Sequence, residues 1–507
     1  MELFFFEYKQ IEASTWAYLS SLLLIALFFK FNRFWSVRNL DLLLIILLAP
    51  GLLLIDSGQA FVQQQKGQTR SQAEGIEDVT QTAVGILPKV SQFENLDDRS
   101  TGNPSSFSEP GSLTRQQIAG QKLQRFGYYW LFSAGIFLLI RMLIDPALTR
   151  RPMLEPNLTV GGLVFLGVSL MSFLMANIAT SQPTPDDLQG AKDAVKLIKR
   201  EQASSNDMEK LKRRGPGYRL FNLLPIIPSF ESGDEILRTN VEQESDSLGR
   251  YVIAARSLAI VSQLLIVFGL VLFCHYYYEN FYVGVGIGTI YLLLPYTALY
   301  TGHVSHALPA ALLVWSLFFF RTPVAAGVLM GLATGVSYYP VFLIPLWASF
   351  YWDRGVKRFS VSFLVSILLC VGGLAFTSVD VADFMQQVRA MFGFWQPLLE
   401  GLDGVWALGW SQWWRLPILV TFVLFSISFV FWPTEKNIGT LVAYTGAVMI
   451  AVQFWHGFGG GLYVAWYMPM VLLTFFRPNL LGRVATQELR EQNRKRKETA
   501  EDILVQD

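Results

Sequence analysis

Residues 254–275 read AARSLAIVSQLLIVFGLVLFCH, and the run between Arg256 and His275 contains no charged side chain. About 20 consecutive apolar residues are enough for an α-helix to cross the hydrocarbon core of a bilayer. Backbone N–H and C=O groups find no water in that core, so a segment that crosses it bonds its own backbone as a helix. The stretch therefore predicts a transmembrane helix.

Similar apolar runs recur along the 507-residue chain, of which 52% is hydrophobic and 16% is charged. Soluble domains carry about 25% charged residues. The other runs lie at 14–31, 40–56, 127–145, 158–178, 281–300, 303–320, 359–378, 416–432, 437–455 and 461–476. They predict an all-α, polytopic integral membrane protein. The net charge of +1 provides no general field for nucleic acid, so no such partner is expected.

Residues 322–352 are too many for one untilted crossing and too few for two of full length. Arg321 precedes them, and Arg358 closes a basic loop that follows them. Because short loops rich in Lys and Arg stay in the cytoplasm, both ends are expected on the same side. Pro340 disfavours helical continuation, so we predict a hairpin of two short helices that is broken near Ser337. The hairpin brings the predicted number of crossings to about 13.

Lys and Arg are concentrated in alternate connections, which also predicts the orientation. The connections expected inside contain Lys30 to Arg38, Arg150 and Arg151, Lys436, and Arg477 with the basic tail. An excess of Lys and Arg marks cytoplasmic loops, so the N-terminus is predicted outside and the C-terminus inside.

The hydropathy pattern divides the chain into six parts. These are two transmembrane helices in 1–56, an outer polar and partly disordered loop in 57–125, two helices in 126–178, an outer loop with a surface helix in 179–250, a transmembrane core in 251–478, and a charged cytoplasmic tail helix in 479–507.

Three of the four histidines are expected at outer ends of segments. His303 and His306 are three residues apart and share a helix face, where they can hydrogen-bond a phosphate or an acceptor hydroxyl. Interfacial histidines wetted by lipid headgroups are the alternative. His456 precedes the glycines at 459–461, which permit either close approach of a ligand or a tight connection between helices.

Metal and nucleotide chemistry are not indicated. No third ligand lies near the His-x-x-His pair, so no metal is predicted, and a divalent cation is not indicated. Cys274 and Cys370 lie in apolar runs without CxxC spacing and are expected to be buried thiols. The sequence contains no GxxxxGK[ST] motif, so ATP-driven transport by this chain alone is not expected.

Carboxylates and tryptophans supply further candidates. Asp56 should emerge at the outer surface after the apolar run 40–56, where it can act as a general base or be an ordinary helix-end Asp. The outer loop 379–415 contains Trp395 and Asp403. Indole faces stack on sugars, and carboxylates bind sugar hydroxyls, but Trp also forms belts at membrane interfaces.

Basic residues and tyrosines complete the candidate set. Arg256 flanks the outer start of a crossing, where it can neutralise a phosphate or snorkel to the interface. Tyr338 and Tyr339, at the predicted hairpin break, are candidate substrate contacts. Arg141 and Asp145 are four residues apart, which favours a structural ion pair.

Residues 292–358 read LLLPYTALYTGHVSHALPAALLVWSLFFFRTPVAAGVLMGLATGVSYYPVFLIPLWASFYWDRGVKR. This stretch resembles the membrane core of GT-C superfamily glycosyltransferases, particularly bacterial polyprenyl-phosphate-sugar-dependent mannosyltransferase-like proteins. The features that carry the resemblance are the Leu-Pro helix end, the segment Ala325–Ala333, the Tyr339-Pro340 break and the basic loop after it. Gly460–Phe476 is similar to the penultimate region of that family, and the resemblance covers about a third of the chain.

The resemblance implies a transferase of a bacterial inner membrane, with its active site on the outer face. It would move a sugar from a polyprenyl-phosphate donor to a lipid, glycan or protein acceptor. Family members carry an acidic catalytic residue in the first large outer loop, and Asp56 is the nearest match here. The hypothesis is that Asp56, or as second choice Asp403, deprotonates the acceptor hydroxyl. The oligomeric state is not predicted.

Two other classes of function stay open. A secondary transporter or lipid-linked glycan flippase would bury paired ionisable groups at mid-membrane. A non-catalytic membrane scaffold would lack a cavity that joins Asp56 to the histidines.

Overall fold

The computed structural model describes residues 13–62, 115–148, 154–199, 214–226, 240–353, 355–392, 401–433 and 436–478. Every regular element in these ranges is a helix, so the all-α prediction is confirmed for them. The α-helices are α1 (Ala13–Phe28), α2 (Val37–Val62), α3 (Arg115–Ile144), α4 (Val160–Thr180), α5 (Pro185–Lys199), α6 (Pro216–Leu223), α7 (Asn240–Tyr277), α8 (Phe281–Leu293), α9 (Pro295–Tyr300), α10 (Val304–Phe318), α11 (Pro323–Val336), α12 (Ile344–Phe350), α13 (Val356–Thr377), α14 (Val381–Phe392), α15 (Arg415–Ser428), α16 (Ile438–Trp455) and α17 (Met468–Phe475).

Six stretches of the described helices are long and apolar enough to cross a membrane. They are Val37–Val62, Gln117–Ala147, Val160–Thr180, Gly249–Tyr277, Val356–Phe376 and Ile438–Trp455. Shorter apolar helices of 10–17 residues accompany them, among them α8, α10 and α11. The polytopic character is thereby supported, whereas the figure of about 13 crossings and the orientation stay predictions.

The predicted hairpin in residues 322–352 is broken where the sequence indicates. α11 ends at Val336, and a 3₁₀ turn that begins at Tyr339 leads into α12. The phenol of Tyr351 donates a hydrogen bond to the carbonyl of Phe320, which brings the end of the hairpin back to its start. The break therefore places residues 337–339 at the far end of α11.

A stripe of glycines seats α11 against α13. A Cβ atom on Gly327 would lie 2.5 Å from the carbonyl oxygen of Phe359, and one on Gly331 would lie 2.6 Å from that of Phe363. Small residues spaced four apart let two apolar helices approach closely. The contact fixes the position of α11 along α13, and with it the position of Ser337, from which the chain enters the candidate site described below.

Buried charges join several helix ends. The guanidinium Nε of Arg141 lies 2.7 Å from Asp41, and its Nη1 lies 3.2 Å from Asp145. The Nε of Arg477, just beyond α17, donates to Asp145 at 3.0 Å. The predicted Arg141–Asp145 pair is confirmed, and it belongs to a larger cluster. Because these residues lie near helix termini rather than at mid-helix, the cluster is typical of a structural clamp rather than of an ion pathway.

The described contacts divide the chain into two units, of which the smaller comprises Pro50–Leu131. Within it, the second half of α2 pairs with the first half of α3. A Cβ atom on Gly58 would lie 2.7 Å from the carbonyl oxygen of Gly120, and one on Gly127 would lie 2.9 Å from that of Gly51. Glycines seven residues apart on each helix therefore allow this close contact.

The predicted position of Asp56 at the end of its helix is wrong. α2 continues to Val62, so Asp56 is a half-buried residue within the helix. The apolar run ends at residue 55, but pairing with α3 continues the helix beyond it. α3 begins at Arg115, inside the region 57–125 that is predicted to be an outer polar and partly disordered loop.

Candidate functional site

The histidine doublet lies in the first turn of α10 and is held by a carboxylate from α5. Oδ1 of Asp187 accepts a hydrogen bond from the backbone N–H of Val304 at 3.2 Å, as favoured at a helix N-terminus. Its Oδ2 accepts from Thr184 at 2.6 Å and lies 3.8 Å from Nδ1 of His303. The Asp187 side chain is 2% exposed and that of His303 is 28% exposed. The buried carboxylate therefore faces an imidazole that solvent or a ligand can reach.

Imidazole and phenol rings from three parts of the chain meet at this end of α10. The rings of His306 and His456 both pack on Tyr463, with centroid separations of 4.3 and 4.5 Å. His456 also stacks on Tyr339 at 4.4 Å. We call the set the imidazole–tyrosine cluster, and its members are Tyr296, Tyr300, His303, His306, Tyr338, Tyr339, His456, Tyr463 and Trp466.

The cluster has a buried floor and an accessible rim. His306 and His456 are 7% and 2% exposed. Tyr300, His303, Tyr338 and Tyr463 are half-buried and form the rim. A ligand that reaches the cluster would therefore meet phenol faces and the His303 imidazole before the inner histidines.

Both inner histidines are hydrogen-bonded at Nδ1. Nδ1 of His306 lies 2.7 Å from the phenol oxygen of Tyr296. The backbone N–H of Phe458 donates to Nδ1 of His456 at 3.1 Å. A neutral imidazole that accepts at Nδ1 carries its hydrogen on Nε2. His456 is therefore an Nε2–H donor when neutral.

The glycine run after α16 folds the chain back onto the end of that helix. Gly459 and Gly461 have φ angles of 71° and 94°, which favour glycine. A Cβ atom on Gly460 would lie 2.3 Å from the carbonyl oxygen of Gln453. The amide oxygen of Gln453 also accepts from the N–H of Gly461 at 3.1 Å. This tight turn brings Tyr463 back beside His456.

Residues 401–414, which form a tryptophan-rich loop, contact the chain around the glycine turn after α16. The indole of Trp406 donates to the carbonyl of His456 at 3.0 Å, and Nε of Arg415 donates to that of Trp455 at 2.8 Å. The backbone N–H of Asp403 donates to the carbonyl of Gly457 at 2.9 Å. Other indoles of the loop are exposed, as in an interfacial belt, namely Trp410, Trp413 and Trp414.

A buried arginine lies beside Asp187. Nη2 of Arg214 donates to the carbonyl of Asp186, its guanidinium lies 4.4 Å from the ring centroid of Tyr218, and its Nη1 is buried without a hydrogen-bond partner. Burial disfavours the charged guanidinium. Tyr218 and the carboxylates of Asp186, Asp187 and Asp193 outweigh that effect and raise the pKa of Arg214. The arginine stays charged and offsets the negative charge behind His303.

The structure brings together five of the residues selected from sequence. His303, His306, His456, Tyr338 and Tyr339 all belong to the imidazole–tyrosine cluster. The roles assigned to them stay predictions, but their convergence makes one site of what the sequence presents as separate motifs.

The remaining candidates are placed differently. Arg256 donates from Nε and Nη2 to the carbonyl of Ser181, at 3.1 and 2.7 Å, and thereby closes the end of α4. Asp403 approaches the His456 turn through its backbone, and Asp56 belongs to the smaller unit. Trp395 lies outside the described residues.

Sequence reasoning missed several members of the site. Tyr296 and Tyr300 precede the histidine doublet at helical spacing, a signal that could have identified them. The Thr184-Pro-Asp-Asp187 pattern is a helix-start signal. The hydroxyl of Thr184 donates to the carboxylate of Asp187 and accepts from the backbone N–H of the same residue. Nothing in the sequence links Asp187 to His303, because only the tertiary contact joins them.

No group of three or more His, Cys, Asp or Glu side chains that could hold a metal ion is found within the described ranges. No protein-family model matches the sequence. No curated protein is significantly similar to it. The function is therefore argued from the geometry of the site.

Proposed function

We propose that this chain is a membrane glycosyltransferase that transfers a sugar from a polyprenyl-phosphate donor to an acceptor hydroxyl at the imidazole–tyrosine cluster. One observation carries the proposal. A solvent-accessible His303, backed by the buried carboxylate of Asp187, lies at the edge of a group of tyrosine rings. A base and aromatic faces at the end of apolar helices suit a sugar that is attached to a membrane lipid.

In the proposed reaction, His303 accepts the proton of the acceptor hydroxyl. The acceptor oxygen bonds to the anomeric carbon as the bond from that carbon to the donor phosphate breaks, and the lipid phosphate departs with the electron pair. Asp187 orients the imidazole through Nδ1 and stabilises its protonated form. Their 3.8 Å separation exceeds a hydrogen bond, but such contacts tighten when substrate binds.

Asp187 is assigned to orientation rather than to direct proton abstraction. Its two oxygens already accept from Val304 and Thr184, and the side chain is buried. The proposal gives the role of base to His303, because the buried carboxylate of Asp187 lies beside it, whereas the roles that the sequence suggests for Asp56 and Asp403 stay predictions.

The inner histidines suit the departing phosphate. The Nε2–H of His456, with His306 beside the same Tyr463 ring, would stabilise charge that develops on the phosphate oxygens in a water-poor site. The half-buried phenols of Tyr300, Tyr338 and Tyr463 would pack on the sugar ring. The proposed donor, acceptor class and bacterial inner-membrane location derive from the resemblance over residues 292–358.

The transporter alternative gains no support from the buried charges. The cluster of Asp41, Arg141, Asp145 and Arg477 lies near helix termini. Transport pathways place such groups near the membrane midplane.

The test uses the full chain in proteoliposomes with a panel of polyprenyl-phosphate hexoses and measures release of polyprenyl phosphate. His303→Gln should lower the rate about 10²–10⁴-fold, as expected for loss of a general base. Asp187→Asn should cause a smaller loss, and His275→Gln, at an exposed site on α7, should leave the rate unchanged. Full activity of the His303 variant, or wild-type protein that releases no polyprenyl phosphate from any donor, would refute the proposal.

A further inference from the structure

α14 has the opposite polarity to an ordinary surface helix. Its polar residues Asp383 and Gln387 are 9% and 2% exposed, whereas Val381 and Met385 are 78% and 46% exposed. A helix on the surface of a soluble protein turns its apolar face inward. In α14, Val381 and Met385 point away from the protein, while Phe384 and Val388 are half-buried.

Polar contacts account for the inward face. The amide of Gln387 donates to Asp383 at 2.7 Å, and its oxygen accepts from Nη1 of Arg219 at 2.9 Å. Asp380 caps the helix, because its carboxylate accepts from the backbone N–H of Asp383. The hydrogen bond from Arg219 to Gln387 fixes the orientation of α14 about its own axis relative to α6. Val381 and Met385 are exposed because this orientation turns them outward.

The exposed face of α14 follows the exposed apolar surface of a candidate membrane-spanning helix. α13, a candidate membrane-spanning helix, ends just before α14, and its outer side chains are strongly exposed. They include Val361, Leu364, Leu368, Leu369 and Phe376. Val379, in the link between the two helices, is 46% exposed. Val379 therefore continues the exposed apolar surface of α13 as far as α14, beside the exposed Asp380 that caps the helix.

Exposed aromatic residues also lie at the start of the next apolar helix along the chain. α15 begins at Arg415, directly after the exposed Trp413 and Trp414. Exposed tryptophans at the start of an apolar helix are typical of the membrane–water interface. On α14, the exposed Arg389 is four residues beyond Met385, a spacing that suits contact with lipid phosphates.

We propose that α14 is an interfacial helix whose apolar face, formed by Val381 and Met385, lies in the headgroup–acyl boundary of the bilayer. The occupant of this surface is the lipid itself. The inference does not depend on the proposed transferase activity. It gives α6 a membrane-anchored neighbour on the side of the protein where Arg214 and Asp187 are found.

The test places a bimane probe on Met385→Cys in the full chain, reconstituted into nanodiscs. The native Cys274 and Cys370 are buried and should not be labelled. Gln386→Cys is the matched control, because residue 386 is exposed on the same helix but lies away from the apolar face. Quenching is measured with doxyl-labelled lipids and with aqueous iodide.

The expected result is several-fold stronger quenching by doxyl lipid at 385 than at 386, with the reverse order for iodide. Two results would overturn the proposal. Strong iodide quenching at both positions would show that α14 lies in water. Protection of residue 385 from both quenchers would show that protein, such as a second copy of the chain, covers the face.

Discussion

Gly331 on α11 offers a direct test of the packing that positions the site. In a Gly331→Ala variant, the new Cβ atom would lie 2.6 Å from the backbone oxygen of Phe363 and 2.7 Å from Cβ of Ser366. Ordinary contact begins at 3.4 Å, so the helices must separate by about 0.8 Å. Because the obstacle is backbone, a rotamer change cannot relieve it.

The size of the effect follows from two opposing terms. Overpacking of this kind destabilises by about 1–3 kcal/mol. Replacing glycine with alanine within a helix stabilises by up to about 1 kcal/mol. Gly372→Ala, on α13, is the matched control because a Cβ atom there meets nothing within 4 Å. The helix-propensity term is common to both variants, so their difference isolates the steric term of about 1–3 kcal/mol.

The assay is reversible unfolding of the purified protein in mixed micelles, with the free energy of unfolding obtained for both variants. We expect Gly331→Ala to be less stable than Gly372→Ala by that difference. Equal stability of the two variants would refute the close approach of α11 and α13, and with it the fixed position of Ser337.

Three further outcomes are expected. Asp145→Asn leaves Arg477 without its carboxylate and should lower the free energy of unfolding by about 3–5 kcal/mol. Glu155→Gln, in an exposed 3.9 Å pair with Lys30, should change the free energy of unfolding by less than about 1 kcal/mol. Equal losses in the two variants would contradict the structural clamp. Thr445→Val removes the acceptor of the Trp347 indole and should destabilise the protein by about 1–3 kcal/mol in the same unfolding titration. The buried hydroxyl of Thr474 has no hydrogen-bond partner, so Thr474→Val should be neutral or stabilising. Arg214→Gln should reduce sugar transfer more than Arg256→Gln, because only Arg214 offsets the charge of Asp187; equal rates would remove it from the site.

Much of the fold was readable from local sequence. The apolar runs predict helices, and the break at Ser337 follows from the length of residues 322–352 and from Pro340. The end of α2 was placed too early, because a helix that continues through pairing with α3 does not need an apolar sequence. The sequence shows the glycines of α2 and α3, but it does not show that these glycines lie at the contact between the two helices.

The site divides along the same line. Hydropathy and helical spacing are local properties, so they suffice to predict apolar helices and to place His303, His306 and His456 near helix ends. The packing of His306 and His456 on Tyr463, and of Asp187 beside His303, appears only in the folded structure. Those partners are far apart along the chain, and no local pattern specifies which helix ends will meet.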